Sequence, residues 1–123
     1  MNERKIVILG ASNKADRTSY TLLKRLQTKA EFSLIPINPA LKDIDGLPVL
    51  SKLEEAPKKP DILSIYLNAQ RSQELESAIL DLQPQKVIFN PGAENPELMA
   101  KLKAQGAQVE EACSLILLSL NQL

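Results

Sequence analysis

The stretch Ile6-Val7-Ile8-Leu9-Gly10-Ala11-Ser12-Asn13-Lys14-Ala15-Asp16-Arg17-Thr18-Ser19-Tyr20 decides how this chain folds. Its first four residues are apolar without alternation, and three of them are β-branched. That is the pattern of a strand covered on both faces, as in a parallel sheet. Gly10, Ala11 and Ser12 end the run. Small residues there let the backbone approach a ligand closely, and the helix that follows presents free N–H groups and a positive dipole end. Such a junction suits an anion, above all a phosphate. Lys14 and Arg17 add two cations that can meet phosphate charge. An ordinary strand-to-helix turn accounts for the same residue types, because the full glycine fingerprint of a dinucleotide site is not present.

Working outward, Asp16, Thr18 or Ser19 is the expected cap of a helix that carries Leu22, Leu23 and Leu26 on one face. Residues 32–37, FSLIPI, read as a second buried strand closed by Asn38-Pro39. Residues 40–60 read as a loop, a short extended piece and one helical turn. Residues 61–67, DILSIYL, form the third strand. Residues 70–82 place Leu75, Ala78, Ile79 and Leu82 at helical spacing, which predicts one amphipathic helix.

The pattern then repeats with a strand over 86–89 and a helix starting at Asn95-Pro96-Glu97, where a cap, a first-turn proline and an early acid coincide. That helix should end before Gly106. A short strand over 107–110 and a closing helix over 114–120 complete the chain. Strands alternating with helices predict a single domain over residues 1–123, an α/β Rossmann-like three-layer α/β/α fold on a parallel five-stranded sheet. Ligands bind such sheets beyond the carboxyl ends of the strands, where strand order reverses.

Composition narrows the function. Fifteen basic residues balance fifteen acidic ones, so no global field points to nucleic acid or an anionic membrane, and four aromatics are too few for a base-stacking platform. The apolar runs are shorter than a membrane span, and the segment MNERK lacks the apolar core of a secretory signal. With Cys113 the single cysteine, a reducing, cytoplasmic setting is expected. The chain has no histidine, so Ser-His-Asp and Cys-His catalysis are excluded, and no carboxylate pair stands out as an acid and base. Binding without catalysis is expected, with a small NADP- or CoA-dependent oxidoreductase or acyl-transfer enzyme using Cys113 or Glu94 as the alternative. The apolar tail over 115–120 leaves room for a homodimer contact.

The end of the second strand bears on which nucleotide fits. NAD sites usually place an acid about 20 residues past the glycine turn; here that place holds Asn38, followed by Pro39 and Lys42. A neutral amide does not repel a phosphorylated ribose, so coenzyme A or NADP fits better than NAD. Asn90, Pro91 and Gly92, followed by Ala93, Glu94 and Asn95, join a strand end to a helix start and offer a second wall of the crevice. Glu94 is the residue there least explained by turn chemistry.

Five motifs in this order are familiar together: the Gly10-Ala11-Ser12 turn with Arg17-Thr18-Ser19-Tyr20, Ile35-Pro36-Ile37-Asn38-Pro39, Gly46-Leu47-Pro48-Val49, Asn90-Pro91-Gly92-Ala93-Glu94-Asn95, and Glu111-Ala112-Cys113. Over nearly the whole chain they resemble the small single-domain CoA-binding proteins, a family similar to the N-terminal nucleotide-binding domain of the succinyl-CoA synthetase alpha chain. The resemblance implies a small-molecule nucleotide partner, coenzyme A or an acyl-CoA. It implies that Gly10, Ala11, Ser12 and Asn13 line a phosphate turn with Arg17 and Tyr20 beside it. It further implies that Asn38 and Pro39 flank the nucleotide and that Ile65 and Tyr66 stand at the next strand end. The synthetase's phosphorylated histidine has no counterpart in a chain without histidine, so ligase activity does not carry over.

Overall fold

The computed structural model describes residues 3–123. Five parallel strands form one sheet in the order β2-β1-β5-β6-β7, from β1 (Arg4–Leu9), β2 (Phe32–Ile37), β5 (Ile62–Ile65), β6 (Lys86–Phe89) and β7 (Gln108–Glu111). Helices cover both faces, as expected of a Rossmann-like α/β/α domain. The unalternated run of β1 is explained by its two-sided burial. Val7 and Leu9 point into one core with Ile65, Phe89, Ile79, Leu98 and Leu102, while Ile6 and Ile8 point into the other with Leu22, Leu23 and Leu26.

The first core is closed by α3 (Glu76–Leu82), which follows α2 (Ala69–Glu74), and by α4 (Pro96–Ala104), and the second by α1 (Thr18–Gln27) and α5 (Ser114–Ser119). β2 lies at an edge, which is where a strand tolerates Pro36 and its missing donor. The carbonyl of Pro36 instead accepts from Leu50 N at 2.9 Å.

Four local expectations are corrected. The predicted helix over 70–82 is two helices broken at Leu75, whose φ and ψ are −102° and 10°. At the break the ladder tightens to a three-residue step, with Leu75 N donating to the Ser72 carbonyl at 3.1 Å, while the Ser72 hydroxyl donates back to the Ala69 carbonyl. Residues 40–60 contain a short hairpin, β3 (Asp43–Ile44) and β4 (Leu47–Pro48), turned by Asp45 and Gly46 at φ 50° and 85°. Asp-Gly is a favoured pair for such a turn. A 3-10 turn over Leu53–Glu55 follows. Strand β5 stops at Ile65, so Tyr66 and Leu67 leave the sheet early, and β7 runs one residue further along than the expected 107–110. The tail helix α5 packs Leu115, Leu117 and Leu118 against its own sheet and leaves Ile116 and Leu120 exposed. Among the described residues, no helix is long and apolar enough to cross a membrane.

Candidate functional site

Strand order reverses at β1: the chain steps to β2 on one side and returns to β5 on the other. The crevice between the carboxyl ends of β1 and β5 is therefore the topological switch point. Gly10 lies in it. Its φ of +91° is a left-handed conformation, and a Cβ there would stand 3.0 Å from Leu67 Cδ2 and 3.3 Å from Tyr66 Cβ. The backbone can pass this close to the next strand end because position 10 has no side chain.

The turn is then drawn toward β2. Gly10 N and Ala11 N both donate to the Ile37 carbonyl, at 3.3 and 3.2 Å. Asn38 completes the tie, its Nδ2 donating to the Ala11 carbonyl at 2.7 Å while its Oδ1 accepts from Ala40 N at 2.7 Å. One amide thus holds the turn after β1 and shapes its own Asn-Pro turn.

The turn continues through Ser12, whose hydroxyl accepts from Lys14 N at 3.0 Å, to Arg17. The expected caps Asp16, Thr18 and Ser19 are corrected. The N-cap position of α1 is Arg17 in extended conformation, and no side chain caps the helix. A guanidinium has no acceptor atom and cannot cap an N-terminus, while Ser19 is turned into the core at 3 % exposure. By contrast, α2 and α4 begin at Asn68 and Asn95, whose side chains accept from Arg71 N and Leu98 N. The helix end at the switch point is left with free N–H groups, beside the exposed side chains of Asn13, Lys14 and Arg17.

The other wall is built from the ends of β5 and β6. Asn90 is 2 % exposed and fully occupied. Its Nδ2 donates to Ser64 Oγ and the Ile65 carbonyl, both at 2.9 Å, and its Oδ1 accepts from Ser114 N at 2.8 Å. Ser64 and Ser114 share a further hydroxyl contact at 2.8 Å. Asn90 therefore locks the start of α5 to the sheet, and its side chain faces the protein. Ile65 is completely buried in the core and Ala11 nearly so, so these two shape the site from beneath. Pro39, Pro91 and Gly92 stand exposed at the rim.

Glu94, which turn chemistry seemed not to explain, is explained by it. Its carboxylate accepts from Gly92 N at 3.0 and 3.2 Å. Tyr66 packs against the core that holds Ile6, Ile8 and Ala11, and its buried hydroxyl, in the neighbourhood of Ser64 and Ser114, makes no well-formed hydrogen bond. Burial pushes its pKa up to about 12.

Tyr20 departs furthest from expectation. Its hydroxyl donates to Asp45 Oδ2 at the hairpin tip, and Lys24 Nζ reaches the same oxygen at 3.1 Å. Sequence reading did not connect these residues. The Asp45-Gly46 pair signalled a turn, but which helix it would meet depends on packing. The groove between α3 and the 3-10 turn is lined by Glu54, Glu74 and Asp81, whose charge repels phosphate. Among the described residues, no group of three or more histidine, cysteine, aspartate or glutamate side chains is placed to hold a metal ion.

Comparison with known proteins agrees with this geometry. A crystal structure of an uncharacterized protein superposes with a TM-score of 0.90 at 29 % identity, with both chains covered in full. The uncharacterized protein YneT of Bacillus subtilis is 26 % identical over 106 residues, 86 % of this chain and 78 % of that one. The fold also recurs in a dinucleotide-forming acetyl-coenzyme A synthetase of Ca. Korarchaeum cryptofilum. There the TM-score is 0.74 at 20 % identity, over 90 % of this chain and 26 % of that one. The model of the CoA binding domain matches residues 4–119, from the start of β1 to the end of α5, and the chain belongs to that family.

Proposed function

We propose that the protein binds coenzyme A or an acyl-CoA at the β1–α1 junction and catalyses no reaction of its own. The observation that carries this reading is the uncapped N-terminus of α1, set at the switch point directly after a glycine turn and flanked by Lys14 and Arg17. The diphosphate lies on the turn formed by Gly10, Ala11, Ser12 and Asn13. The adenosine half runs toward Asn38 and Pro39, and the pantetheine arm crosses the end of β5 at Tyr66. Membership of the CoA binding domain family supports coenzyme A over NADP.

The non-catalytic part of the reading rests on the side chains. The sequence has no histidine, and Glu94 is spent on the Gly92 turn. The single cysteine suits a reducing compartment, so we place the protein with the cytoplasmic CoA pool. We place a second copy against exposed Ile116 and Leu120 of α5; light scattering that shows a monomer at every workable concentration removes that assembly. Calorimetric titration with CoA, acetyl-CoA, NADP and NAD tests the central claim. Binding of the first two with NAD excluded is expected, and preference for NAD, or no binding by any of them, overturns it.

A further inference from the structure

We propose that Tyr20 and Lys24 of α1 form a subsite for a ribose phosphate monoester, and that the chain's own Asp45 carboxylate occupies it as a competing anion. The proposal rests on the CoA reading above and adds to it a determinant of which nucleotide is preferred.

The donor set is that of a phosphate oxygen. A phenol hydroxyl and an ammonium, one helical turn apart at positions 20 and 24, converge on a single anionic oxygen, Asp45 Oδ2. Both shifts at this contact follow from it: the Tyr20 hydroxyl bond, then Lys24, holds Asp45 below the ordinary carboxylate range, and Asp45 raises Tyr20. An anion is therefore favoured at this point.

Asp45 can leave without unfolding anything. Its side chain is 40 % exposed, while the hairpin that carries it is held by other groups. Ile44 is completely buried, Gly46 N donates to Asp43 Oδ2 at 3.1 Å, and Val49 N donates to the Lys42 carbonyl at 3.0 Å. Rotation of one exposed side chain is enough to free both donors. An exposed ion pair contributes little, so displacement by a more highly charged group costs little.

Position selects the guest. Arg17, Tyr20 and Lys24 follow one stripe of α1 from the phosphate turn toward the hairpin tip, and seven residues of helix advance about 10 Å. Coenzyme A carries its diphosphate and its 3′-phosphate on the same ribose, so one sugar separates the two anions. With the diphosphate at the head of α1, the monoester falls along this stripe. A ribose hydroxyl is neutral and does not displace a carboxylate from an ammonium; a phosphate dianion does. Tyr20 and Lys24 thereby favour nucleotides that carry the monoester, while Asp45 competes with it and tempers that preference.

Titration calorimetry with CoA and dephospho-CoA, which differ only in the 3′-phosphate, tests this on the full chain. The wild-type protein should prefer CoA. Lys24→Gln and Tyr20→Phe should each reduce that preference about two- to fivefold, the range of an exposed ionic contact, with dephospho-CoA affinity unchanged. Asp45→Asn keeps a residue that tolerates the left-handed turn and should raise CoA affinity by a similar factor without affecting dephospho-CoA. Lys24 and Asp45 are exposed, Tyr20→Phe keeps the half-buried ring, and thermal melting confirms that each variant is folded. If wild type binds both nucleotides equally, or if Lys24→Gln and Tyr20→Phe leave the preference intact, the subsite is wrong and the CoA site stands. If neither nucleotide binds, both are wrong.

Discussion

The side-chain amide of Asn38 donates to the main-chain carbonyl of Ala11 at 2.7 Å, tying the end of β2 to the turn that follows β1. The residue whose neutral charge first argued against NAD is also the one that holds the β1–α1 turn in place. Asn38→Asp replaces a donor with an anion beside a carbonyl oxygen. It should destabilise the fold by about 1–3 kcal/mol, the cost of a lost hydrogen bond with an unsatisfied partner, and should weaken CoA binding more strongly than folding. Urea unfolding combined with titration separates the two effects. Equal affinity in the variant would show that the tether does not shape the site.

Arg17 stands at the N-cap position of α1 with an exposed side chain, and no side chain caps that helix. Removing the guanidinium leaves helix packing untouched. Arg17→Ala should therefore weaken CoA binding about tenfold, as for one hydrogen bond to a charged group, with little change in melting temperature. Unchanged affinity would remove Arg17 from the diphosphate site.

Gly10 combines a φ of +91° with a 3.0 Å approach of its missing Cβ to Leu67 Cδ2. The Leu67 tip can rotate away, but the dihedral cannot be relieved. Gly10→Ala should cost about 1–2 kcal/mol of stability, from backbone strain. A denaturation midpoint equal to wild type sinks that account.

Tyr66 buries a hydroxyl that has no hydrogen-bond partner. Taking such a group out of water costs free energy, so Tyr66→Phe should be neutral or stabilising by up to about 1 kcal/mol. The same burial keeps the phenol neutral. Its folded pKa of about 12 lies above the ordinary 10.0, so the stabilisation is complete below pH 10 and is lost as pH rises through 12. Tyrosinate absorbance of the folded protein should accordingly lag behind that of free tyrosine on alkaline titration. A normal titration of both tyrosines would contradict the burial of Tyr66.

Asp45 titrates the other way. Its folded pKa is lowered by the Tyr20 hydroxyl bond and by Lys24, so the latch between α1 and the hairpin is complete above the ordinary value of 3.8 and weakens as pH falls through the folded value. Ring signals of Tyr20, whose hydroxyl donates to Asp45, should move on acidification below pH 3.8 in wild type and move less in Asp45→Asn. Identical acid shifts in both proteins would mean that another group controls the hairpin.

Much of this molecule was legible in the chain because two-sided burial leaves a strong mark. The run at β1, the similar runs at β5 and β6, and the helix start at Asn95-Pro96-Glu97 each state their own structure, since burial and capping act on neighbouring residues. The elements of the candidate site were legible in part. Gly10, Asn38 and Arg17 were visible from turn chemistry, strand ends and charge. The split at Leu75 was not visible, because a local change in backbone hydrogen bonding leaves no trace in apolar spacing.

The sequence by itself determined the alternation of strands and helices, the parallel sheet and the small-residue turn that opens α1. Each is set by local periodicity or by the conformational freedom of one residue. Only the tertiary structure decided what the polar side chains face. Asn90 reads as a rim residue but is buried across Ser64 and Ser114, Glu94 reads as a free acid but closes its own turn, and Tyr20 meets Asp45 from a hairpin 25 residues away. Such pairings depend on the packing of elements distant in the chain, a geometry that neither composition nor spacing encodes.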